Sequence, residues 1–285
     1  GDVSLRGTVI TDSSDDDAAG TDIDITAANL RVFATGGMGT GTNHVETTIT
    51  RMSADVGASG NLFVTETNAI EIDTVPDITV QRVGSDGVTL TRTTDAAQSD
   101  ITAGTGSVVV NATDITIKGG GNTTGITTTG NGNILLNARS GNITANAIVD
   151  GGTGNISLHA SNNVVLWNTT GTSAFTGVLR TDNATIDVKA GDMIDMKDGS
   201  TVTSKGGHAR FEAVNNINVS YIDATNAALE RYGNVALVST AGSVVDIDNG
   251  AGLDVKSAGL LMDVANGIAT GINPLETTVA TLAAS

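Results

Sequence analysis

The chain has 285 residues, no cysteine and a formal net charge of −17. This acidic balance excludes a nucleic-acid-binding surface and opposes docking on anionic membranes, since both need basic residues. There is no apolar run of about 18 residues, so the sequence predicts no membrane insertion. Aromatic residues make up only 2% of the chain, and Val, Ile, Leu and Ala accompany 36 Gly. Such a composition is typical of short strands joined by tight turns.

An alternating apolar frame recurs along the chain and is clearest over residues 154–167 (GNISLHASNNVVLW). Apolar residues alternate with polar ones on both sides of an Asn-Asn corner, which predicts strand, tight corner, strand, each with one buried face. The same frame is formed by Ile23, Ile25, Ala27, Leu30 and Val32; by Leu62, Val64, Ile70 and Ile72; by Val108, Val110, Ala112, Ile115 and Ile117; by Ile134, Leu136, Ala138, Ile143 and Ala145; by Ile186, Val188, Ala190, Ile194 and Met196; and by Ala209, Phe211, Ala213, Ile217 and Val219. Glu66 takes the position of Ala160, and weaker members are expected from Val3, Val88, Val235 and Leu253.

Successive frames are roughly 20–30 residues apart, a period that marks a solenoid. One coil cannot bury its inward Val, Ile and Leu row alone, whereas neighbouring coils cover it from both sides. Two strands per coil are clear, and a third is visible in places, as in residues 78–80. A polar ladder is expected at equivalent corners, from Asn162, Asn163, Asn215 and Asn216. A β-sandwich would explain the alternation but not the repeating Gly-Asn-apolar unit.

A second, longer repeat aligns residues 20–55 with 250–285, at an offset of 230 and without gaps. Its best part pairs 41–54 (GTNHVETTITRMSA) with 271–284 (GINPLETTVATLAA), and upstream 1–5 (GDVSL) matches 233–237 (GNVAL). We therefore predict one continuous segment over 1–285, in which 1–230 is about one superrepeat and 231–285 begins the next. The chain starts without Met, mid-pattern, so we expect a piece cut from a longer tandem array.

The GNI-x-L-x-A-x-x-x-V frame at 154–164 resembles the β-solenoid shafts of filamentous-haemagglutinin-like adhesins. The segment NPLETTVATLAAS (273–285) is similar to segments found in tandem in very large, repetitive bacterial surface proteins. The resemblance covers nearly the whole chain and implies export, exposure at the bacterial cell surface and a right-handed coil. Together with the stacked frames, we predict an all-β, right-handed parallel β-helix of about 12 coils.

The densest acidic cluster follows the first strand-like segment. Carboxylates on one loop offer the oxygen ligands that Ca²⁺ prefers, but EF-hand spacing is absent, and so is the glycine-rich nonapeptide calcium repeat. The hypothesis that we favour is a solvated loop extruded from the coil, with Ca²⁺ as the alternative and no other cofactor. The candidate ligands are Asp12, Asp15, Asp16, Asp17 and Asp22, with Asp24 following them.

Three further sets of residues are weighed as sites. The histidines are expected on the surface: His44, His159 and His208. A polysaccharide-cleaving enzyme would need acids clustered on one face. The best such group has Asp187 and Asp195 facing outward, but we favour a solvated face for all its members: Asp182, Asp187, Asp192, Asp195 and Asp198. Candidate aromatic platforms for sugars are expected instead to pack at corners or under the 168–178 insertion: Trp167, Phe175, Tyr221 and Tyr232.

These patterns predict a structural shaft or filament segment of an extracellular bacterial surface protein, with no catalysis. The runner-up is an adhesin that binds cells or glycans through loops such as the 168–178 insertion, and a polysaccharide lyase or hydrolase is a distant third. Expected partners are neighbouring repeats of the same chain or identical copies, joined end to end or laterally.

Overall fold

The computed structural model describes residues 1–13, 22–167, 178–248 and 252–285. These residues form 32 β-strands and one 3-10 helix, Ala227–Leu229, and none of their helical structure is long and apolar enough to cross a membrane. Of the strands, 28 join one continuous sheet, and the pairings between successive coils run parallel, as in β15 with β18 (Ile134–Ala138 with Ile156–Ala160). The predicted parallel β-solenoid is confirmed.

The strands are short and evenly distributed. The first eleven are β1 (Asp2–Gly7), β2 (Ile25–Thr26), β3 (Asn29–Ala34), β4 (Gly37–Met38), β5 (Val45–Thr48), β6 (Arg51–Asp55), β7 (Asn61–Glu66), β8 (Ile70–Ile72), β9 (Ile78–Val83), β10 (Leu90–Asp95) and β11 (Ile101–Ala103). The next eleven are β12 (Val108–Ala112), β13 (Ile115–Ile117), β14 (Thr124–Thr128), β15 (Ile134–Ala138), β16 (Ile143–Ala145), β17 (Ile148–Asp150), β18 (Ile156–Ala160), β19 (Val164–Leu166), β20 (Leu179–Arg180), β21 (Ile186–Ala190) and β22 (Ile194–Met196). The last ten are β23 (Thr201–Thr203), β24 (Ala209–Ala213), β25 (Ile217–Val219), β26 (Tyr221–Asp223), β27 (Thr225–Asn226), β28 (Arg231–Tyr232), β29 (Val235–Ser239), β30 (Val244–Asp246), β31 (Val255–Val264) and β32 (Thr277–Ala284).

Each coil has three sides. The first side is the column β7, β12, β15, β18, β21, β24 and β29, continued by the second half of β31. The second side is the column β8, β13, β16, β19, β22, β25 and β30. The third side is the column β1, β3, β6, β11, β14, β17, β20, β23, β26, β31 and β32. β3 and β6 turn a corner: their first halves continue the second side, where Met52 pairs with Ile72, and their second halves lie on the third side, where Ala54 pairs with Ile101. This third column has eleven strands, close to the predicted count, and spans about 48 Å at the usual strand spacing.

The predicted inward frame is confirmed by the strand register. Ala112, Ala138, Ala160, Ala190 and Ala213 pair in succession along the first side, and all are buried. The neighbouring inward column contains Leu158 and Phe211, both fully buried. The coils above and below therefore exclude water from each apolar column. This burial stabilises the fold by roughly 25 cal/mol per Å² of apolar area. The result is one apolar core that runs through all the coils.

The recurring Gly before the first side has a steric cause. A Cβ on Gly154 would lie 1.9 Å from the carbonyl oxygen of Gly132, and one on Gly132 would lie 1.9 Å from that of Gly106. The coils approach so closely at this corner that a side chain would collide with backbone. In one coil Ala184 takes this position, after Asn183, which has a positive φ of 63°.

Asparagine side chains stack at two corners, although not in the predicted grouping. Asn163 Nδ2 donates to Asn142 Oδ1 (3.2 Å), and the Asn163 side chain in turn accepts from the backbone N–H of Met193 (3.1 Å). Met193 interrupts the ladder, so Asn163 and Asn216 do not meet directly. A second ladder, outside the prediction, joins Asn155 Nδ2 to Asn133 Oδ1 (3.1 Å).

Several register predictions are wrong. The coils expected to begin at Val3 and Leu253 start on other sides: Val3 pairs with Leu30 in the column of Ile72 on the second side, and Val255 pairs with Ile222 on the third side. Ile25 pairs with Thr47, which pairs with Glu66 of the Ala column, so the first coil is displaced by two residues from the predicted frame. A shift of two keeps the same face inward, which is why the alternation concealed it. In addition, Val88 begins no coil, and residues 78–80 form no third side. Val88 is 80% exposed and lies between β9 and β10, which pair only with each other in an antiparallel hairpin (Ile78–Asp95) outside the solenoid sheet.

The two copies of the longer repeat lie on different sides of the coil. Leu30 pairs with Met52, whose next neighbour is Ile72 on the second side. Leu260, its equivalent 230 residues later, pairs with Val235 on the first side. One superrepeat therefore spans about eight and two-thirds coils, or about 42 Å at the usual strand spacing.

Candidate functional site

Carboxylates from separate coils form two groups. In the first acidic group (Asp12, Asp24 and Glu46), one carboxylate oxygen of each residue lies within 4.8 Å of the others. Glu46 is fully buried, and Asp24 is exposed. The sequence prediction included Asp12 but missed Glu46, which comes from the next coil. Asp22 is described but is not in the group, and Asp15, Asp16 and Asp17 lie outside the described residues.

The second acidic group consists of Asp246, Asp248 and Asp254, again with one oxygen of each within 4.8 Å of the others. Asp254 is 0% exposed and Asp246 only 3% exposed. The carboxylate of Glu276 lies close enough to raise the pKa of both buried acids. None of these four residues was predicted as a site.

The two acidic groups are built on the same backbone arrangement. The backbone N–H of Glu46 donates to Asp24 Oδ2 (2.9 Å), and the N–H of Asp24 donates back to the carbonyl of Glu46 (3.0 Å). Glu276 donates in the same way to Asp254 Oδ2 (2.7 Å), and Asp254 donates back to its carbonyl (2.9 Å). Asp24 and Asp254 are thus equivalent in structure as well as in the 230-residue alignment.

An asparagine that is present in both copies of the repeat closes both groups. Asn43 Nδ2 donates to the carbonyl of Asp12 (3.5 Å), and Asn273 Nδ2 donates to the carbonyl of Asp246 (3.0 Å). Asp12 and Asp246 are therefore also equivalent, although their separation in sequence differs from 230 by four residues. This local insertion removes them from the ungapped alignment.

Burial dominates the electrostatics of the second acidic group. It raises the pKa of Asp254 to about 7, and repulsion from Asp246, Asp248 and Glu276 adds to the shift. The pKa of Asp24 is also raised, first by desolvation and then by repulsion from Asp12 and Asp22. Clustered carboxylates without a cation are costly in this setting, because each additional negative charge disfavours the next.

The predicted histidines lie on separate coils and serve local contacts. His159 Nε2 is 3.1 Å from Asp187 Oδ2, and the His159 side chain is 43% exposed. His208 Nδ1 accepts from the backbone N–H of Asn234 (2.9 Å). His44 Nδ1 lies 2.9 Å from Thr65 Oγ1. The structure does not bring these three rings together.

The predicted acidic face between 182 and 198 does not converge. Asp187 lies between His159 and Arg210, at 3.1 and 3.7 Å. Asp195 was predicted to face outward with Asp187, but it is only 7% exposed, because Lys197 and Asn218 cover it. These contacts distribute the acids over several local pairs.

A shallow concavity on the third side is lined by Asp150, Arg180, Asp182, Lys205 and Tyr221. Arg180 Nε donates to Asp150 Oδ2 at 2.7 Å, which neutralises both charges. The Tyr221 hydroxyl donates to Asp223 (3.1 Å), and burial raises the pKa of Tyr221 to about 12.

Among the predicted aromatic platforms, Trp167 is 48% exposed and Tyr232 is 54% exposed. Phe175 and most of the 168–178 insertion lie outside the described residues, so the packing predicted there for Trp167 stays a prediction. Comparison with known protein families, with curated protein sequences and with solved structures found no match for this chain.

Proposed function

We propose that this chain is a shaft segment of a large extracellular bacterial surface protein. The segment acts as a mechanical spacer and performs no catalysis. One apolar core continuous through all the coils is the observation that carries the proposal. Each coil contacts mainly its neighbours, so length increases with the number of coils while the cross-section stays constant. The resemblance of the repeats to surface shafts supports the extracellular bacterial location.

The partners that fit a shaft are further repeats of the same chain or identical copies. Within the described residues, β1 pairs along one edge, with β3, and β32 along one edge, with β31. Unpaired strand edges are templates for further strands. We infer that end-to-end continuation of the column is the principal association, with lateral association as a second mode.

The dependence of particle length on the number of repeat copies tests this function. Proteins containing one, two or three tandem copies of residues 1–230 would be compared by small-angle X-ray scattering. The expected maximum dimension rises by about 42 Å per copy at constant cross-sectional radius. A matched set carrying Leu158→Asp in every copy, which places a charge in the core, should lose this linear growth. A compact particle, whose radius grows only slowly with mass, would overturn the proposal.

Adhesion is the second candidate, and the exposed hairpin Ile78–Asp95 favours it. Val80, Val83, Val88 and Leu90 are 56, 58, 80 and 60% exposed on this hairpin, which leaves the solenoid. Val83 and Leu90 pair across the two strands, so the exposed apolar side chains are grouped on one extruded element. Grouped exposed apolar side chains suit contact with another surface better than they suit a shaft. Binding of the labelled chain to bacterial cells and glycan arrays, with and without the hairpin, tests it: binding that depends on the hairpin supports adhesion, and equal binding opposes it.

A further inference from the structure

The second acidic group contains buried oxygens that no group among the described residues satisfies. Asp254 is 0% exposed, and its Oδ1 accepts no hydrogen bond from any described residue. The same holds for Oδ2 of Asp246, which is 3% exposed, and for Oε2 of Glu276. An unsatisfied buried carboxylate oxygen is strongly unfavourable, because the charge has lost water and gained nothing.

No basic side chain of the described residues neutralises these acids. The ion pairs of the structure include none with Asp246, Asp254 or Glu276. The nearest lysine along the chain, Lys256, pairs instead with Asp223 at 3.4 Å. Buried acids are ordinarily paired with a base, coordinate a metal or take up a proton, and a cation from outside the chain would supply the pairing that the described residues do not.

Recurrence of the arrangement is an independent observation. The first acidic group has the same reciprocal bonds between Asp24 and Glu46, and the same asparagine on the carbonyl of Asp12. Within the aligned 36 residues, the Asp, the Glu and the Asn of this arrangement are all identical between the copies. A solvated loop has no reason to keep acids and backbone geometry together over 230 residues.

The chemistry of the ligands selects the ion. The three side chains that define each group are carboxylates, whose oxygens hard divalent cations prefer. Two oxygens that share one Ca²⁺ at 2.3–2.6 Å lie at most about 5 Å apart, and Mg²⁺ demands a tighter octahedron. The oxygens of each group already lie within 4.8 Å of one another. We propose that each acidic group binds one calcium ion, so that the repeat carries a calcium site at a fixed place. This inference is independent of the proposed shaft function.

Calorimetry on the full chain tests the proposal. The protein is stripped with EDTA and titrated with CaCl₂ in about 0.15 M salt, which screens diffuse binding to its acidic surface. We expect saturation at two ions per chain, with dissociation constants of about 10⁻⁴–10⁻³ M, as in extracellular calcium modules. Asp254→Asn and Asp24→Asn should each lower the stoichiometry from two to one. The control Asp187→Asn removes a surface acid of the same type and should leave it at two.

Thermal unfolding provides a second readout that does not depend on the heat of binding. In EDTA, Asp254→Asn should unfold at a higher temperature than the parent, because it removes a buried, unpaired charge. In about 5 mM Ca²⁺ the order should reverse, because only the parent gains the full binding energy. The proposal is overturned if the order is the same in both buffers, if Asp254→Asn keeps the parent stoichiometry, or if Mg²⁺ produces the same binding and stabilisation.

Discussion

The Thr47 hydroxyl donates a 2.6 Å hydrogen bond to Oε2 of Glu66, at a core position where other coils carry Ala. Glu66 is fully buried and also accepts from the backbone N–H groups of Ile49 (3.0 Å) and Asn68 (2.9 Å). Its carboxylate thus satisfies three donors at this corner.

Glu66→Ala should therefore destabilise the chain, even though Ala is the usual residue at this position. Three buried donors would lose their acceptor, and we expect a loss of about 2–4 kcal/mol in the free energy of unfolding, measured by chemical denaturation. Glu212→Ala removes only ion pairs with Lys189 and Arg210 on the outer face and should cost less than about 1 kcal/mol. Equal stability of Glu66→Ala and the parent would contradict the assigned role.

The pH dependence of stability should have opposite signs at these two glutamates. Burial raises the pKa of Glu66 above its ordinary 4.5, so the folded chain holds that proton more tightly. Its contribution is therefore fully present below pH 4.5 and is lost as pH rises through the folded pKa. Hydrogen bonds from Arg210 and Lys189 lower the pKa of Glu212, so its contribution is lost as pH falls through the folded pKa.

Glu66→Gln and Glu212→Gln, denatured at several pH values between about 3 and 8, separate the two effects. The stability difference between the parent and Glu66→Gln should grow on acidification, while that between the parent and Glu212→Gln should shrink. If both differences change in the same direction, one of the two assignments is wrong.

Gly154→Ala tests the close approach of neighbouring coils. The new Cβ would lie 1.9 Å from the carbonyl oxygen of Gly132, so the coils must separate locally. We expect a loss of about 1–3 kcal/mol, measured by thermal and chemical unfolding. At Gly271 a Cβ would meet nothing within 4 Å, and Gly271→Ala should be close to neutral. Comparable effects of the two substitutions would argue against the steric account.

The hairpin Ile78–Asp95 should be dispensable for folding. Its two strands pair only with each other, and the bridge between Val75 and Gln98 closes the coil beneath it. Replacing residues 78–95 with two glycines should change the free energy of unfolding by less than about 1 kcal/mol. A large loss of cooperativity in the denaturation curve would show that the hairpin supports the core.

The sequence was sufficient for two sides of the coil because their strands carry several alternating apolar residues. The third side was predicted only in places, and the example at residues 78–80 was wrong. Most third-side strands from β11 to β26 have only two or three residues, and Thr201–Thr203 has only Val202 inward. A strand with a single buried residue shows no alternation of apolar and polar residues that could reveal it. The hairpin was misread for the opposite reason, since its strand-like composition resembles that of a coil although its side chains face solvent.

The candidate site was predicted only in part. Asp12 was found because neighbouring acids crowd its stretch of sequence, but the partners that matter come from other coils. Asp24 and Glu46 are 22 residues apart and meet only because one coil stacks on the next. The 230-residue alignment did contain the signal, since Asp24 and Glu46 recur as Asp254 and Glu276; the insertion before Asp24 obscured Asp12 and Asp246.

The superrepeat contains a fractional number of coils, as the positions of Leu30 and Leu260 show. If such units follow one another, each turns by one face relative to the last, and the same face returns only after three units, or about 26 coils. The acidic groups would then follow a slow threefold screw around the long axis. A rod of this kind would present its acidic groups on all three faces in turn, so neighbouring rods could meet an acidic group in three rotational settings.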